Sequence, residues 1–485
     1  MPRAARRGRA FKGAQPATRY EMASVVARAL VTVDAEKASK QDLELLKKLV
    51  MEFKDELDAL GVKVDSLDKR VAVLEDNLGG WKLSGQLYFE ADFANSDVTD
   101  ANGASKGTSY TESGLDNSFQ KARFRLFLQK QISETTSFYG EFRAGSESSN
   151  GVSGYGDIKD LNLRTVYVDT MLPWEIGFRV GRFVLDFEAD HGLYVDNDAI
   201  YGDYRLDGFQ FTKNWGSFSA KAIIGRNSAL DDNLIYAYGD KEGQDVDYMT
   251  YALDLTWQPS EAFFVGINGV WRQEDGDVYP YKGNPVAGYN GDAYDMATYS
   301  AYLSYNFTPA IALQGIYYWQ DLDEGIVAYK GKLAADATED SPTAWKAVLD
   351  IKQDVLKFTS LRFEYMQHDN MFYGVREPYS FDALTGGAAS ITDNMPWNDN
   401  TSDLFFIRAE QKWNDKWSTY LRYQQADFDT EGYDDAKGYG IGITYQYTPA
   451  IAFRLAYDYL DYGDGMGQKY NGDDQVIQFR TAINF

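Results

Sequence analysis

Charged side chains recur at alternate positions through much of this 485-residue chain, and they hold its most legible chemistry. Lys121, Arg123 and Arg125 share one phase, opposite Ala122, Phe124, Leu126 and Leu128. By the same alternation Arg143, Arg164, Arg179, Arg362, Arg408, Arg422, Arg454 and Arg480 oppose the apolar face of their own segments, accompanied by Glu141, Glu364 and Glu410. One segment differs. "EADHGLYVDNDAIYGDYRLDG" (188–208) has six acids, Glu188, Asp190, Asp196, Asp198, Asp203 and Asp207, and one base, Arg205. Its Leu193, Val195 and Ile200 have little use in a solvated loop, which predicts that the loop folds inward. An arginine wall facing an acidic loop sets a transverse field, suited to water and polar solutes and hostile to apolar ones. Inward charges also pair with one another and hold a wall's shape, so both roles stay open for each arginine. Loop carboxylates are hard oxygen ligands and could take Ca²⁺, but no EF-hand spacing is present.

Covalent chemistry has little to work with. The absence of Cys excludes disulfides, thiolate metal sites and a Cys nucleophile. His191 and His368, far apart in sequence, are the two histidines. No catalytic constellation and no cofactor motif is legible, so a non-enzyme is expected. A formal charge of −25, from 48 Lys+Arg against 73 Asp+Glu, argues against nucleic acid as a partner. With 44% hydrophobic and 15% aromatic residues the composition is not that of a disordered chain. No run of 18 apolar residues occurs, so no transmembrane helix is expected. The start, "MPRAARRGRA", lacks the apolar region of a signal peptide.

Alternation implies strands. From residue 81 onwards one unit repeats: about ten alternating residues, a tight turn, another strand, then a long loop rich in Asp, Asn, Gly and Ser. Tight turns fall at Ser133–Thr136, Pro173-Trp174, Asn214–Ser217, Gln258–Glu261, Thr308-Pro309, Asp354–Lys357, Asn414–Lys416 and Thr448-Pro449. Eight turns and nine loops imply eighteen strands, with sixteen as the alternative count. A soluble sandwich also alternates. Strict alternation of short and long connections favours a transmembrane antiparallel β-barrel. So do the aromatics at the short-turn end, Trp174, Trp215, Trp257, Phe307, Trp413, Trp417 and Tyr447, which read as an interfacial girdle. The last strand, "QVIQFRTAINF", must pair with the first, because an open edge in lipid leaves backbone groups unsatisfied. Its terminal Phe resembles the assembly signal of outer-membrane barrels.

The first 80 residues are helical in pattern. Thr18-x-x-Glu21 reads as a capping box before the apolar face of Met22, Val25, Val26, Ala29 and Leu30. Between 39 and 80, Leu43, Val50, Leu57, Val64, Val71 and Leu78 take heptad position a, and Leu46, Phe53, Leu60, Leu67 and Leu74 take d. Opposite g/e′ charges, such as Lys63/Asp68, fit a parallel self-associating coiled coil roughly 60 Å long. Gly79-Gly80 then ends the rod where the first strand begins.

Capped helix, coiled-coil rod and barrel together resemble the OmpM-type outer-membrane porins that carry an N-terminal surface-layer-homology (SLH) domain. The motif is "FKGAQPATRYEMASVVARAL", similar to the second half of an SLH module; its first half and a signal peptide are missing here, replaced by "MPRAARRGRA". The resemblance implies a partial SLH segment (1–38), a periplasmic coiled-coil stalk (39–80) and a porin barrel (81–485). It implies peptidoglycan contact through Thr18, Arg19 and Glu21, a homotrimer in outer-membrane lipid, and passive diffusion of small hydrophilic solutes. Arg123, Arg125, Arg143, Arg164, Arg179, Glu188, Asp190, Asp196, Asp198, Asp203, Arg362, Arg408, Arg422 and Arg454 would line and constrict the pore, with weak cation preference or none. The alternative is a structural tether whose barrel is plugged.

Overall fold

In the computed structural model the chain divides into two units, Met1–Lys82 and Leu83–Phe485. The structure describes residues 80–108, 117–144, 162–193, 200–202, 204–227, 248–274, 295–333, 337–374 and 391–485, together with Met22, Lys48, Leu49, Met51 and Glu52. The SLH-like motif with Thr18, Arg19 and Glu21 lies outside the described residues, as does the heptad rod apart from those single positions. So do Asp196, Asp198 and Asp203 and the side chain of Arg123.

The described second unit is a closed antiparallel meander of eighteen strands. They are β1 (Trp81–Ser96), β2 (Asn117–Gln131), β3 (Thr136–Ala144), β4 (Asn162–Leu172), β5 (Ile176–Leu185), β6 (Tyr204–Trp215), β7 (Phe218–Asn227), β8 (Tyr248–Ser260) and β9 (Phe263–Glu274). The second half continues with β10 (Met296–Thr308), β11 (Ile311–Leu322), β12 (Thr343–Ile351), β13 (Ser360–Asp369), β14 (Thr401–Lys412), β15 (Trp417–Asp427), β16 (Ala436–Thr448), β17 (Ile451–Asp461) and β18 (Asp473–Asn484). All eight expected tight turns join strands, and the nine long connections, L1 to L9 in chain order, alternate with them. Local chemistry explains several turns. Thr308 and Thr448, each before Pro-Ala, fold their hydroxyls back to accept from the amides of Ala310 and Ala450 (both 3.2 Å). Asn414 does the same for Lys416 and Trp417 (2.8 and 3.1 Å).

The outer face is apolar, with aromatic residues at both ends. All seven aromatics expected at the short-turn end are exposed. Eight positions above that level on several strands stands a second row, including Trp271, Tyr299, Trp319 and Tyr439, with Tyr299 stacked on Trp319 at 5.5 Å. This band suits hydrocarbon flanked by headgroups.

The inner face is not polar along its whole length. Towards the long-loop end it is apolar instead: Phe183, Leu206, Val270, Ile316, Met366 and Phe406 are buried there against loop residues Phe187, Leu193, Ile200, Phe372 and Ile391. Burying one such side chain contributes about 1.5–3 kcal/mol, so the infolded loops have a core of their own. Leu193 and Ile200 are in it, as their presence in an acidic loop implied.

Closure depends on a glycine. Gly85 of β1 exchanges backbone hydrogen bonds with the terminal Phe485: its N–H donates to the Phe485 carbonyl (2.6 Å), and the Phe485 N–H donates to its own (3.0 Å). A Cβ at Gly85 would stand 2.5 Å from the Phe485 ring and 2.7 Å from the Arg125 carbonyl. Gly85→Val is therefore expected to prevent closure, whereas Gly315→Ala, whose Cβ meets only a carbonyl at 3.5 Å, is tolerated. Heat-modifiable gel migration reports the folded barrel. Equal yields of the two variants would contradict this reading.

Candidate functional site

Loop L3 enters the lumen through a short helix, α1 (Phe187–His191). Asp186 caps it, its carboxylate accepting from the Ala189 N–H (2.9 Å), and Gly192 ends it in the left-handed region (φ 68°). The five-residue length aims successive side chains at separate parts of the wall. Glu188 is fully buried. One of its oxygens accepts from the Tyr318 hydroxyl (2.7 Å) and from the backbone N–H groups of Ile200 and Tyr201 (2.8 and 3.2 Å). The other pairs with the Lys346 ammonium, which also lies 3.9 Å from Glu364. Asp190 pairs with Lys221 of β7. His191 pairs with Asp254 of β8 (3.2 Å) and stacks on Tyr302 (4.4 Å between centroids), whose hydroxyl donates to Asp254 (2.7 Å). L3 thus leaves the wall at β5 and is gripped by β7, β8, β10, β11 and β12.

The described residues of loop L7, 370–374 and 391–400, include Phe372, Tyr373 and Ile391, which pack with Ile200 and Tyr201 of L3. The Tyr373 N–H and carbonyl are both held by the Gln320 amide of β11 (2.7 and 2.6 Å). Asn394 ties L7 to L9 through the Tyr470 backbone (2.8 and 2.9 Å). Asp399 ties L7 to L6, accepting from the N–H groups of Thr338 and Glu339 (2.6 and 2.7 Å).

The arginines occupy a different part of the wall. Arg362, Arg408 and Arg422 stand directly opposite one another across β13, β14 and β15. Arg454 opposes Arg480, and Arg480 opposes Glu90 and pairs with it. Like charges in register are unfavourable unless acids intervene. Arg422 bridges to Asp458 (2.9 Å) across β16, and Arg408 to Glu410 (3.1 Å). The first bridge is possible because β16 faces inward with Gly438, Gly440 and Gly442. A Cβ on Gly440 would lie 2.5 Å from Asp458, and one on Gly438 would lie 2.7 Å from Gln424. The glycine stripe lets Tyr420, Arg422 and Gln424 lie flat on the wall. Elsewhere Arg125 pairs with Glu141 (3.4 Å) beside buried Arg143, and Arg179 grips Asp169 with two nitrogens (2.7 and 2.9 Å) over the Tyr167 ring.

Arg164 does not follow the expected alternation. The β3–β4 register runs from Glu141–Thr165 to Phe142–Leu163 and skips it, so a bulge interrupts the strand there. Lys346, Tyr318, Lys221, Asp254 and the β16 glycines were not singled out by sequence. The glycines had a signal, their strict alternation in "KGYGIGITY". The others had none, since each is an ordinary inward residue until its strand neighbours are known. Among the described residues no group of His, Asp and Glu is arranged to hold a metal ion.

Two predictions follow from the loop anchors. Lys346→Met leaves the Glu188 and Glu364 carboxylates buried without their shared cation and should cost about 3–5 kcal/mol. Glu188→Gln should cost less, because Lys346 keeps Glu364. Urea unfolding midpoints compare them, and equal losses would contradict the shared-cation arrangement. At Asp399 burial opposes ionisation, but the Thr338 and Glu339 bonds prevail and hold its carboxyl below the ordinary 3.8. A lowered folded pKa means the tie is fully present above that ordinary value and is lost as pH falls through the lower one. Exchange of the Thr338 and Glu339 amides, corrected for intrinsic pH dependence, should accelerate on such acidification. Asp399→Asn should remove the effect.

No known family model matches the chain. It is 33% identical over 220 residues to the uncharacterized protein alr4550 of Nostoc sp. (strain PCC 7120), covering 41% of this chain and 36% of that protein. It is 30% identical over 174 residues to the uncharacterized protein sll0772 of Synechocystis sp. (strain PCC 6803), covering 33% and 31%. The chain thus spans about a third of the length of these curated relatives. Among solved structures, OccK11 (OpdR) of Pseudomonas aeruginosa matches with a TM-score of 0.50 at 9% identity, over 84% of this chain and 96% of that one. OccK1 (OpdK) of the same organism matches with a TM-score of 0.48 at 12% identity, over 83% and 98%. The second unit shares the barrel fold of OccK11.

Proposed function

We propose that the chain is an outer-membrane porin, a passive channel for small hydrophilic solutes and ions. The observation that carries this is a closed barrel of eighteen strands whose outer band is apolar and whose inner wall carries paired and stacked arginines. Barrels of that size leave room for an aqueous channel. The passage runs along the arginine wall of β13 to β3, because the anchors of L3 lie on the opposite strands, β7 to β12. No chemistry on the solute is required of any residue.

The acids of L3 that the structure describes are matched at their anchors, Glu188 by Lys346 and Asp190 by Lys221. Arg362, Arg408 and Arg454 stand on the wall that lines the passage and contribute to the field felt by a solute. The rod and the SLH-like motif support a further role, a trimeric assembly tied to peptidoglycan from the periplasmic side. Changing Leu60 and Leu67 to Asp should then dissociate the assembly while the barrel still closes. The second reading, a plugged barrel serving as an anchor, is favoured by the apolar core that the loops form inside the barrel.

Conductance separates the readings. Purified protein in planar bilayers should give stable unitary steps, and silence from well-folded samples would favour the anchor. In a salt gradient, Arg408→Gln with Arg454→Gln should move the reversal potential towards cation selectivity. Glu188→Gln, at a buried and paired site, should leave it near the wild-type value. The reverse pattern would place the controlling field in L3.

A further inference from the structure

Strands β5, β6 and β7 depart from the rest of the outer face. Arg182, Asp207 and Arg226 point outward, each directly opposite the next in the β5–β6 and β6–β7 registers. Arg182 donates to Asp207 through Nε and Nη2 (3.0 and 2.7 Å). Both side chains are substantially open, at 30% and 57% exposure, and Arg226 is exposed on the far side of the same carboxylate. Arg205, opposite Val184, adds a third guanidinium to the same outward face. Three cations around one acid is a positive patch on a chain of charge −25.

Its height is informative. Asp207 stands eight positions from the girdle residue Trp215, and Arg226 eight from Phe218. Trp271, Tyr299, Trp319 and Tyr439 stand eight positions from the short-turn ends of their own strands. At about 3.3 Å per residue and a strand tilt near 45°, that is roughly 19 Å, close to the far edge of an apolar band about 25 Å tall. Arginines therefore replace headgroup-level aromatics on these three strands. Below them the same strands stay lipid-like: Phe209, Phe211, Val180 and Ile224 are exposed, and Phe218 stacks on Trp257 (5.9 Å) in the lower girdle. A face covered by another protein has no need of that lower girdle.

We propose that Arg182 and Arg226, set around Asp207, bind the phosphate of an anionic lipid in the leaflet on the long-loop side. Guanidinium groups match phosphate oxygens with paired donors. Asp207 fixes Arg182 against the sheet, and the acyl chains of the same lipid lie on the phenylalanines beneath. The site requires a barrel seated in a membrane but not a conducting one, so its test is independent of the channel reading.

The full chain, folded in mild detergent with equal amounts of phosphatidylglycerol and phosphatidylcholine of identical acyl chains, is released for native mass spectrometry. Wild type should retain phosphatidylglycerol preferentially. Arg182→Gln with Arg226→Gln should lower that preference about tenfold, as expected for lost charge-assisted bonds. Folding is verified by heat-modifiable migration; if the double variant does not fold, the single exposed change Arg226→Gln carries the test. Equal preference in wild type and variant overturns the proposal. Displacement of the lipid by equimolar inorganic phosphate would show a soluble-anion site instead. Cross-linking between copies through a cysteine at position 226 would show a subunit interface instead.

Discussion

The buried pair between Glu188 and Lys346 is the interaction on which the interior depends. A carboxylate and an ammonium out of water are costly unless every remaining lone pair and proton is used. Here one oxygen of Glu188 accepts from Tyr318 and from the amides of Ile200 and Tyr201, the other faces Lys346, and Glu364 stands 3.9 Å from the same lysine. The pair therefore fixes where L3 can lie. The flanking contacts of Asp190 with Lys221 and His191 with Asp254 act in the same direction. Once L3 is placed, Ile200 and Tyr201 form the surface on which Phe372 and Tyr373 of L7 pack, and L7 in turn holds L6 and L9. The polar anchor and the apolar core inside the barrel thus involve the same loop.

The opposite wall follows another constraint. Five arginines, Arg362, Arg408, Arg422, Arg454 and Arg480, cannot crowd one wall without intervening acids and without space to lie flat. Glu90, Asp458 and Glu410 supply the acids, and the three inward glycines of β16 supply the space. Gly85 supplies it at the seam, where the last residue of the chain meets the first strand. Glycine has the same physical job in both places, the close approach of a neighbour that any Cβ would prevent.

Much of this was legible in the sequence. The period-two pattern and the strict alternation of short and long connections located every turn and counted the strands. Leu193 and Ile200, stranded among six acids, indicated an infolded loop. Alternation assigns a face but no neighbour, and that limit explains what was missed. Glu188 and Lys346 are 158 positions apart, and nothing local marks them as partners. A bulge at Arg164 is a one-residue event that a periodic pattern steps over. The apolar loop-end of the inner wall was hidden for a related reason. Phe183 and Phe406 are single apolar residues in an alternating pattern, and nothing local shows that loop residues cover them.

The central claim is that water and solutes pass along the arginine wall while L3 is anchored to the strands of the other side. Its most direct test uses the absence of natural cysteine. A single cysteine at position 454, which faces the lumen, and another at position 455, which faces outward, are each placed in an otherwise unchanged chain. Both are treated with a bulky charged thiol reagent while unitary conductance is recorded. The account predicts a stepwise fall in conductance for position 454 and none for position 455. Unchanged conductance at position 454, with labelling confirmed by mass, would contradict it.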